Sequence, residues 1–194
     1  ISIESKGDHD IGKSLFTSPQ ISHLKLHGVV GDRAGIELRD GQSIEFETNN
    51  VGRSFGYKSH GELTIKPQSI DYSDIGPFAL DHSVSTAYIN GHLDHHACRE
   101  FNGRVVVKKL GHASCEKIGK DARIIAIDGV DSIEDPNEWH EGAVLYIPRG
   151  ACHNQYSEQE LDENDIELVL DSLAAYSVKT GVSLATLDES SFVK

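Results

Sequence analysis

The chain has 194 residues, of which 38% are hydrophobic and 25% charged, so it is long enough to bury a core as one ordinary globular domain. Its formal net charge of −13 argues against a nucleic-acid partner, because phosphate backbones bind clustered Lys and Arg side chains. No apolar run approaches the roughly 18 residues of a membrane helix, so no membrane partner is expected. The three cysteines are an odd number without C-x-x-C spacing and indicate neither a zinc ribbon nor a disulfide framework, which favours a reducing compartment and a cytoplasmic protein.

The first 20 residues are polar and contain several Ser and Gly, which predicts an N-terminal arm, with residues 21–194 as the single domain. A G-x4-G-K-S pattern runs from Gly7 to Ser14, as in a phosphate-binding loop. We reject a nucleotide site, because the six preceding residues are too polar for a buried strand and Pro19 leaves barely one helical turn. The start at Ile1 and the lack of any Met favour a processed or trimmed product.

Short segments with alternating apolar and polar residues follow along the chain. The strongest hairpin signal joins residues 35–39 to residues 43–47 through Asp40 and Gly41, because Asp-Gly supplies the positive φ of a tight turn. The other predicted strands are residues 21–30, 62–66, 84–89, 104–110, 122–127 and 143–147.

Many short strands and few helices predict an all-β sandwich or barrel. Between Glu158 and Tyr176, apolar residues recur at helical spacing, but some of them also alternate as in a strand, so this segment is either a C-terminal helix or another strand. We identify no internal repeat in the sequence.

A second pattern begins at Gly142 and ends at His153. Pro148 must end the preceding strand because it cannot donate to a sheet ladder, and Gly150 can supply the reversal that carries His153 back into the interior. The pattern G-x5-P-x-G-x2-H resembles the second motif of the cupin superfamily, in which that histidine is a metal ligand. The resemblance implies a double-stranded β-helix, or jelly-roll, barrel, which can pair as a homodimer. A buried histidine that binds no metal is the alternative.

Partners for His153 are offered by the His-rich residues 91–100. If this segment is one extended strand, alternate side chains share a face, and the shared face carries His92, Asp94, His96, Cys98 and Glu100. A polar strand that faces solvent is the alternative.

In the preferred assignment, His92, Asp94 and His153 form a two-histidine, one-carboxylate triad that leaves Fe(II) positions open. The order H-x-D…H, with 59 residues from Asp94 to His153, is similar to that of the JmjC-like oxygenases, including the ribosomal-protein hydroxylases. The resemblance covers about residues 84–157. It implies Fe(II) and 2-oxoglutarate as cofactor and co-substrate, and hydroxylation of a small molecule or a protein side chain.

A buried co-substrate carboxylate needs a basic partner, for which strand parity nominates Arg104 and then Lys108, with Tyr88 or Thr86 as the hydroxyl donor.

Two further hypotheses remain open. Asp94, His96, Glu100 and His153 resemble the four-ligand set of a cupin dioxygenase, isomerase or lyase that uses no keto acid. Alternatively, the chain is a non-catalytic β-sandwich for binding or assembly, with its histidines on the surface.

Overall fold

The computed structural model describes residues 2–6, 22–68, 73–133, 136–151, 158–183 and 191–194. Within these ranges there are eleven strands, one α-helix and a single turn of 3-10 helix at Pro136–Glu138. The strands are β1 (Ser2–Lys6), β2 (His23–Val29), β3 (Ser43–Glu47), β4 (Asn50–Val51), β5 (Glu62–Lys66), β6 (Ser73–Ile75), β7 (Thr86–Leu93), β8 (Arg104–Leu110), β9 (Arg123–Ala126), β10 (Val144–Pro148) and β11 (Phe192–Val193). The helix α1 spans Glu163–Thr180.

The long strands stack in parallel, each directly on the next, in the order β1-β2-β3-β5-β7-β8-β9-β10. A second, shorter row runs through β4, β6 and the carboxyl end of β7, again in parallel. The chain therefore winds as a parallel β-solenoid of about six coils.

The prediction of a cupin jelly-roll barrel is wrong, because a jelly roll pairs its strands antiparallel. The predicted hairpin illustrates the reason. Its first arm, residues 35–39, lies in turns, and its second arm is β3, which pairs in parallel with β2 and β5. Alternation of apolar and polar residues marks a half-buried strand of either sense, so it did not distinguish the two architectures.

The core fills the inside of the coils. The long strands other than β1 send alternate side chains inward, as Leu24 and Leu26 of β2 and Ile44 and Phe46 of β3 show. Because parallel pairing keeps these positions in register, equivalent side chains stack from coil to coil and form one continuous core.

Five turn segments of similar backbone close successive coils, at residues 31–38, 52–59, 76–83, 94–101 and 111–118. In each, every second residue has a positive φ, as at His96, Cys98 and Glu100 with values of 57°, 61° and 51°. This conformation is unfavourable for residues with a Cβ, and hydrogen bonds between coils offset its cost. The amides point alternately to either neighbour: His96 N–H donates to His112 O at 3.0 Å, and Cys98 N–H donates to Ala79 O at 2.8 Å.

The segment that the sequence left between helix and strand is helical. The helix α1 begins with a capping box between Asp162 and Asp165 and ends at Gly181, whose φ is 77°. Its apolar side packs on the outside of the solenoid, against a stripe formed by Tyr88, Val106, Ile125 and Tyr146. The strand β11 then pairs antiparallel with β10 at Ile147 and Pro148.

Part of the predicted N-terminal arm is ordered as β1, which pairs in parallel with β2 along Ser2–Lys6. Residues 7–21, including the whole phosphate-loop pattern from Gly7 to Ser14, lie outside the described residues. Among the described helices, none has the length and apolar character needed to cross a membrane.

Candidate functional site

His92 lies near the carboxyl end of β7, in a row of outward-facing residues on the short strands. Parallel pairing places Asp74 of β6 opposite His92, and His92 opposite Lys109 of β8. Neighbouring strands in a sheet lie about 4.8 Å apart, so this row places an acid, an imidazole and an ammonium group at regular intervals along the solenoid axis.

An ion pair from the next coil lies beside the His92 ring. Lys109 Nζ lies 2.6 Å from Asp131 Oδ1, and His92 Nε2 lies 3.8 Å from Asp131 Oδ2. The hydrogen bond from Lys109 holds the pKa of Asp131 below its usual value, so Asp131 is ionised at neutral pH. Because 3.8 Å is too long for a hydrogen bond, His92 Nε2 is left without a partner among the described residues.

Asp94 directly follows β7, and its side chain bonds to the next residue, His95. One of its carboxylate oxygens accepts hydrogen bonds from His95 N–H and His95 Nδ1, both at 2.8 Å. Partial burial acts to raise the pKa of Asp94, but the bonds from His95 outweigh it and the pKa lies below its usual value. The carboxylate of Asp94 is therefore ionised and already hydrogen-bonded to His95.

The extended strand predicted for residues 91–100 is wrong, because β7 ends at Leu93 and a turn segment follows. In the four-ligand alternative, His96 and Glu100 were expected to share one face with Asp94, but they contact different residues. His96 stacks on Phe78 with ring centroids 5.6 Å apart, whereas Glu100 accepts from His82 Nδ1 at 2.9 Å.

The residues nominated to bind the co-substrate also lie apart from one another. Arg104 pairs with Thr86, six positions before His92, which corresponds to about 20 Å along the strand. Tyr88 is buried beneath α1 on the outside of the sheet. Only Lys108 lies near His92, because both line the same cavity.

The third predicted ligand, His153, lies outside the described residues, so the triad of His92, Asp94 and His153 stays a prediction. Within the described part of the chain, no three His, Cys, Asp or Glu side chains are grouped as a metal site requires. The Fe(II) centre that the cupin resemblance implies therefore also stays a prediction.

Two cavities meet at His92. One, of about 420 Å³, is lined by Asn50, Asp74 and Asp94 together with Val51, Ile75 and Gly76, and the other, of about 350 Å³, by Lys108, Lys109 and Asp128. His92 belongs to both. We call the two cavities together the axial groove, because they share His92 and the row of Asp74, His92 and Lys109 runs in the direction in which the coils stack. Its side chains present hydrogen-bond donors and acceptors in alternation.

A further cavity of about 470 Å³ lies beside two later turn segments and is lined by Glu100, Lys117, Gly119, Glu138 and His140. Its charged groups are engaged with one another: Lys117 Nζ lies 3.5 Å from Glu116 and 3.8 Å from Glu138.

Sequence reasoning found His92, Asp94 and Lys108 but missed Asp74, Lys109 and Asp131. These three residues come from different coils, and only the parallel register brings them to His92. No short sequence pattern indicates them, because the turn segments repeat in backbone conformation and not in residue type.

Comparison with known proteins adds no functional assignment, since neither a protein-family model nor a curated protein matches this chain.

Proposed function

We propose that this chain is a non-catalytic binding module, in which the solenoid holds the axial groove for an elongated, neutral, hydroxyl-rich ligand of the oligosaccharide class. The observation that carries this proposal is the row Asp74, His92 and Lys109, whose parallel register repeats polar groups at strand spacing along the groove. A ligand made of repeating polar units matches such a row better than a compact one.

The chemistry of the lining favours hydroxyl groups. Each hydroxyl can donate and accept at once, so it can bind the carboxylate of Asp74 and the ammonium group of Lys109 in turn. The net charge of −13 disfavours a polyanion, since long-range repulsion would oppose its approach.

An extended peptide is less well matched to the groove. Peptides that join a sheet use open backbone groups at a strand edge. Along the described rows these groups already bond between coils, as in Asp94 N–H to Ile75 O at 2.9 Å and Gly111 N–H to Leu93 O at 2.7 Å. Recognition must therefore come from side chains.

The Fe(II)- and 2-oxoglutarate-dependent oxygenase stays an untested prediction. We prefer the binding module because the premises of the oxygenase hypothesis, a barrel and a continuous ligand strand, do not hold in the solenoid. The keto-acid-independent cupin shares both premises.

The test is an NMR titration of the ¹⁵N-labelled chain with cellopentaose, maltopentaose and chitopentaose. We expect at least one sugar to shift the resonances of groove residues, and His92→Ala and Asp74→Ala each to weaken its affinity about tenfold, which corresponds to about 1.4 kcal/mol. His60→Ala and Asp171→Ala, which change exposed residues away from the groove, should bind as the unaltered chain does. Shifts elsewhere on the surface, or no shift with any sugar at millimolar concentration, would contradict the proposal.

A further inference from the structure

Two cysteines occupy equivalent positions in adjacent turn segments. Cys98 and Cys115 have positive φ values of 61° and 68°, and each amide donates to the preceding coil, to Ala79 O and Ala97 O, both at 2.8 Å. The cysteines are 17 positions apart in sequence but only one coil apart in space.

Their side chains meet inside the solenoid. Both residues are completely buried in the main core cluster, and the Cys115 thiol lies close enough to that of Cys98 to raise its pKa. Adjacent strands are separated by about 4.8 Å, which lies within the roughly 4.4–6.8 Å Cα separation of disulfides. Backbone placement and side-chain contact are therefore both compatible with a bond between the sulfur atoms.

The surroundings of the two thiols make them slow to react. The neighbouring Cys115 thiol and complete burial raise the pKa of the Cys98 thiol well above its usual value, so little reactive thiolate is present. Reaction thus requires a small, uncharged oxidant and a local opening of the coil.

We propose that Cys98 and Cys115 form an oxidation site, at which a peroxide converts the two thiols into a disulfide that joins neighbouring coils. One sulfur attacks a peroxide oxygen, the O–O bond breaks, and a sulfenic acid and one water result. The second thiol then displaces the hydroxyl of the sulfenic acid, which forms the S–S bond and a second water. Two thiols are oxidised and one hydrogen peroxide is reduced to two waters.

The cross-link has a direct structural consequence. The turn segments that it joins, residues 94–101 and 111–118, continue from the strand ends that carry His92 and Lys109. A disulfide at this place would fix the relative position of two coils that line the axial groove.

The experiment uses the full chain with Cys152→Ser, so that only the two buried cysteines remain. After treatment with hydrogen peroxide, the protein is unfolded in urea, alkylated and digested with trypsin without reduction. We expect peptides 59–99 and 110–117 to appear as one cross-linked species, 2 Da lighter than the sum of the separate peptides, and dithiothreitol to release them. Because the disulfide closes a loop of about 17 residues, the Tm should rise by roughly 5–10 °C.

Cys98→Ala and Cys115→Ala in the same background are the controls, and each should lose both the cross-linked species and the Tm rise. If either variant fails to fold, peptide mapping of the unaltered pair still decides the question. The proposal is overturned if a peroxide dose that oxidises glutathione leaves both cysteines alkylated, converts them separately to sulfinic acids, or links them only between chains.

Discussion

Asp81 provides the sharpest test of the electrostatics of the turn segments. Its side chain is only 5% exposed, and its carboxylate accepts from Arg99 N–H at a long 3.3 Å. The Arg99 guanidinium lies 3.7 Å away, and its buried Nε has no hydrogen-bond partner among the described residues. Burial raises the pKa of Asp81 from 3.8 to about 7, with Glu116 and Glu100 adding to the effect and Arg99 opposing it.

The raised pKa makes the native state bind a proton that the unfolded chain releases. The stability contributed by neutral Asp81 is therefore complete below pH 3.8 and is lost as the pH rises to about 7. At about 1.4 kcal/mol per pKa unit, the loss is at most about 4 kcal/mol. This is an upper bound, because the Arg99 guanidinium can move closer once the carboxylate ionises.

Asp81→Asn replaces the carboxyl group by a neutral side chain of similar shape. We expect the stability difference between the variant and the unaltered chain to grow by up to about 3 kcal/mol, in favour of the variant, between pH 4.5 and pH 8.5, because about 1 kcal/mol of the total is already lost below pH 4.5. Urea unfolding followed by circular dichroism at five pH values measures it, and Asp171→Asn on the exposed side of α1 is the matched control. A difference that is constant across this range within about 0.5 kcal/mol would refute the reasoning and show that Asp81 is ionised and paired throughout.

Other predictions follow from the packing and from the sequence motifs. Tyr146→Phe removes the hydrogen bond from the Tyr146 hydroxyl to Asp165 Oδ1 at 2.8 Å, and urea unfolding should show a loss of about 1–2 kcal/mol. Gly56→Ala should cost about 2–5 kcal/mol in the same assay, since its φ is 66° and a Cβ would lie 2.7 Å from Leu63. Gly41→Ala, with a φ of 79° but no atom within 4 Å, should cost only about 1–2 kcal/mol. Anaerobic addition of 2-oxoglutarate to the chain with Fe(II) should give no metal-to-ligand charge-transfer band; a band would restore the oxygenase hypothesis.

Local signals predicted the long strands from β2 to β10, but not β1 or the short strands, and wrongly predicted one at residues 35–39. The strands at Glu62–Lys66 and Arg104–Leu110 have the predicted bounds, and β10 ends at Pro148, where proline was expected to stop it. These features depend on residues close together in sequence.

The coil repeat could not be recognised by the same means. Successive long strands begin 18 to 24 positions apart, so no fixed period is present. One position of the turn segments is occupied in successive coils by Gly35, Gly56, Leu80, Cys98 and Cys115, which share a positive φ but no side-chain chemistry. The repeat is one of backbone conformation, and parallel pairing, unlike a hairpin, leaves no signal in neighbouring residues.

The predicted arrangement of ligands around His92 was wrong for a related reason. The alternation of ligands from His92 to Glu100 assumed that one strand continued through the whole segment, whereas the backbone leaves the strand after Leu93. The residues that do surround His92 come from other coils, and a single sequence contains no information on which coils are neighbours.

The position of α1 has a mechanical consequence. A stack of coils that contact only their neighbours can unzip one coil at a time under load. The helix, however, lies across β5, β7 and β8 and is bonded through Asp165 to Tyr146 of β10, so it ties together coils that are not adjacent. When the chain is pulled from its two ends, the coils beneath α1 should unfold together in one large step. The coils of β2 and β3 should unfold separately and at lower force.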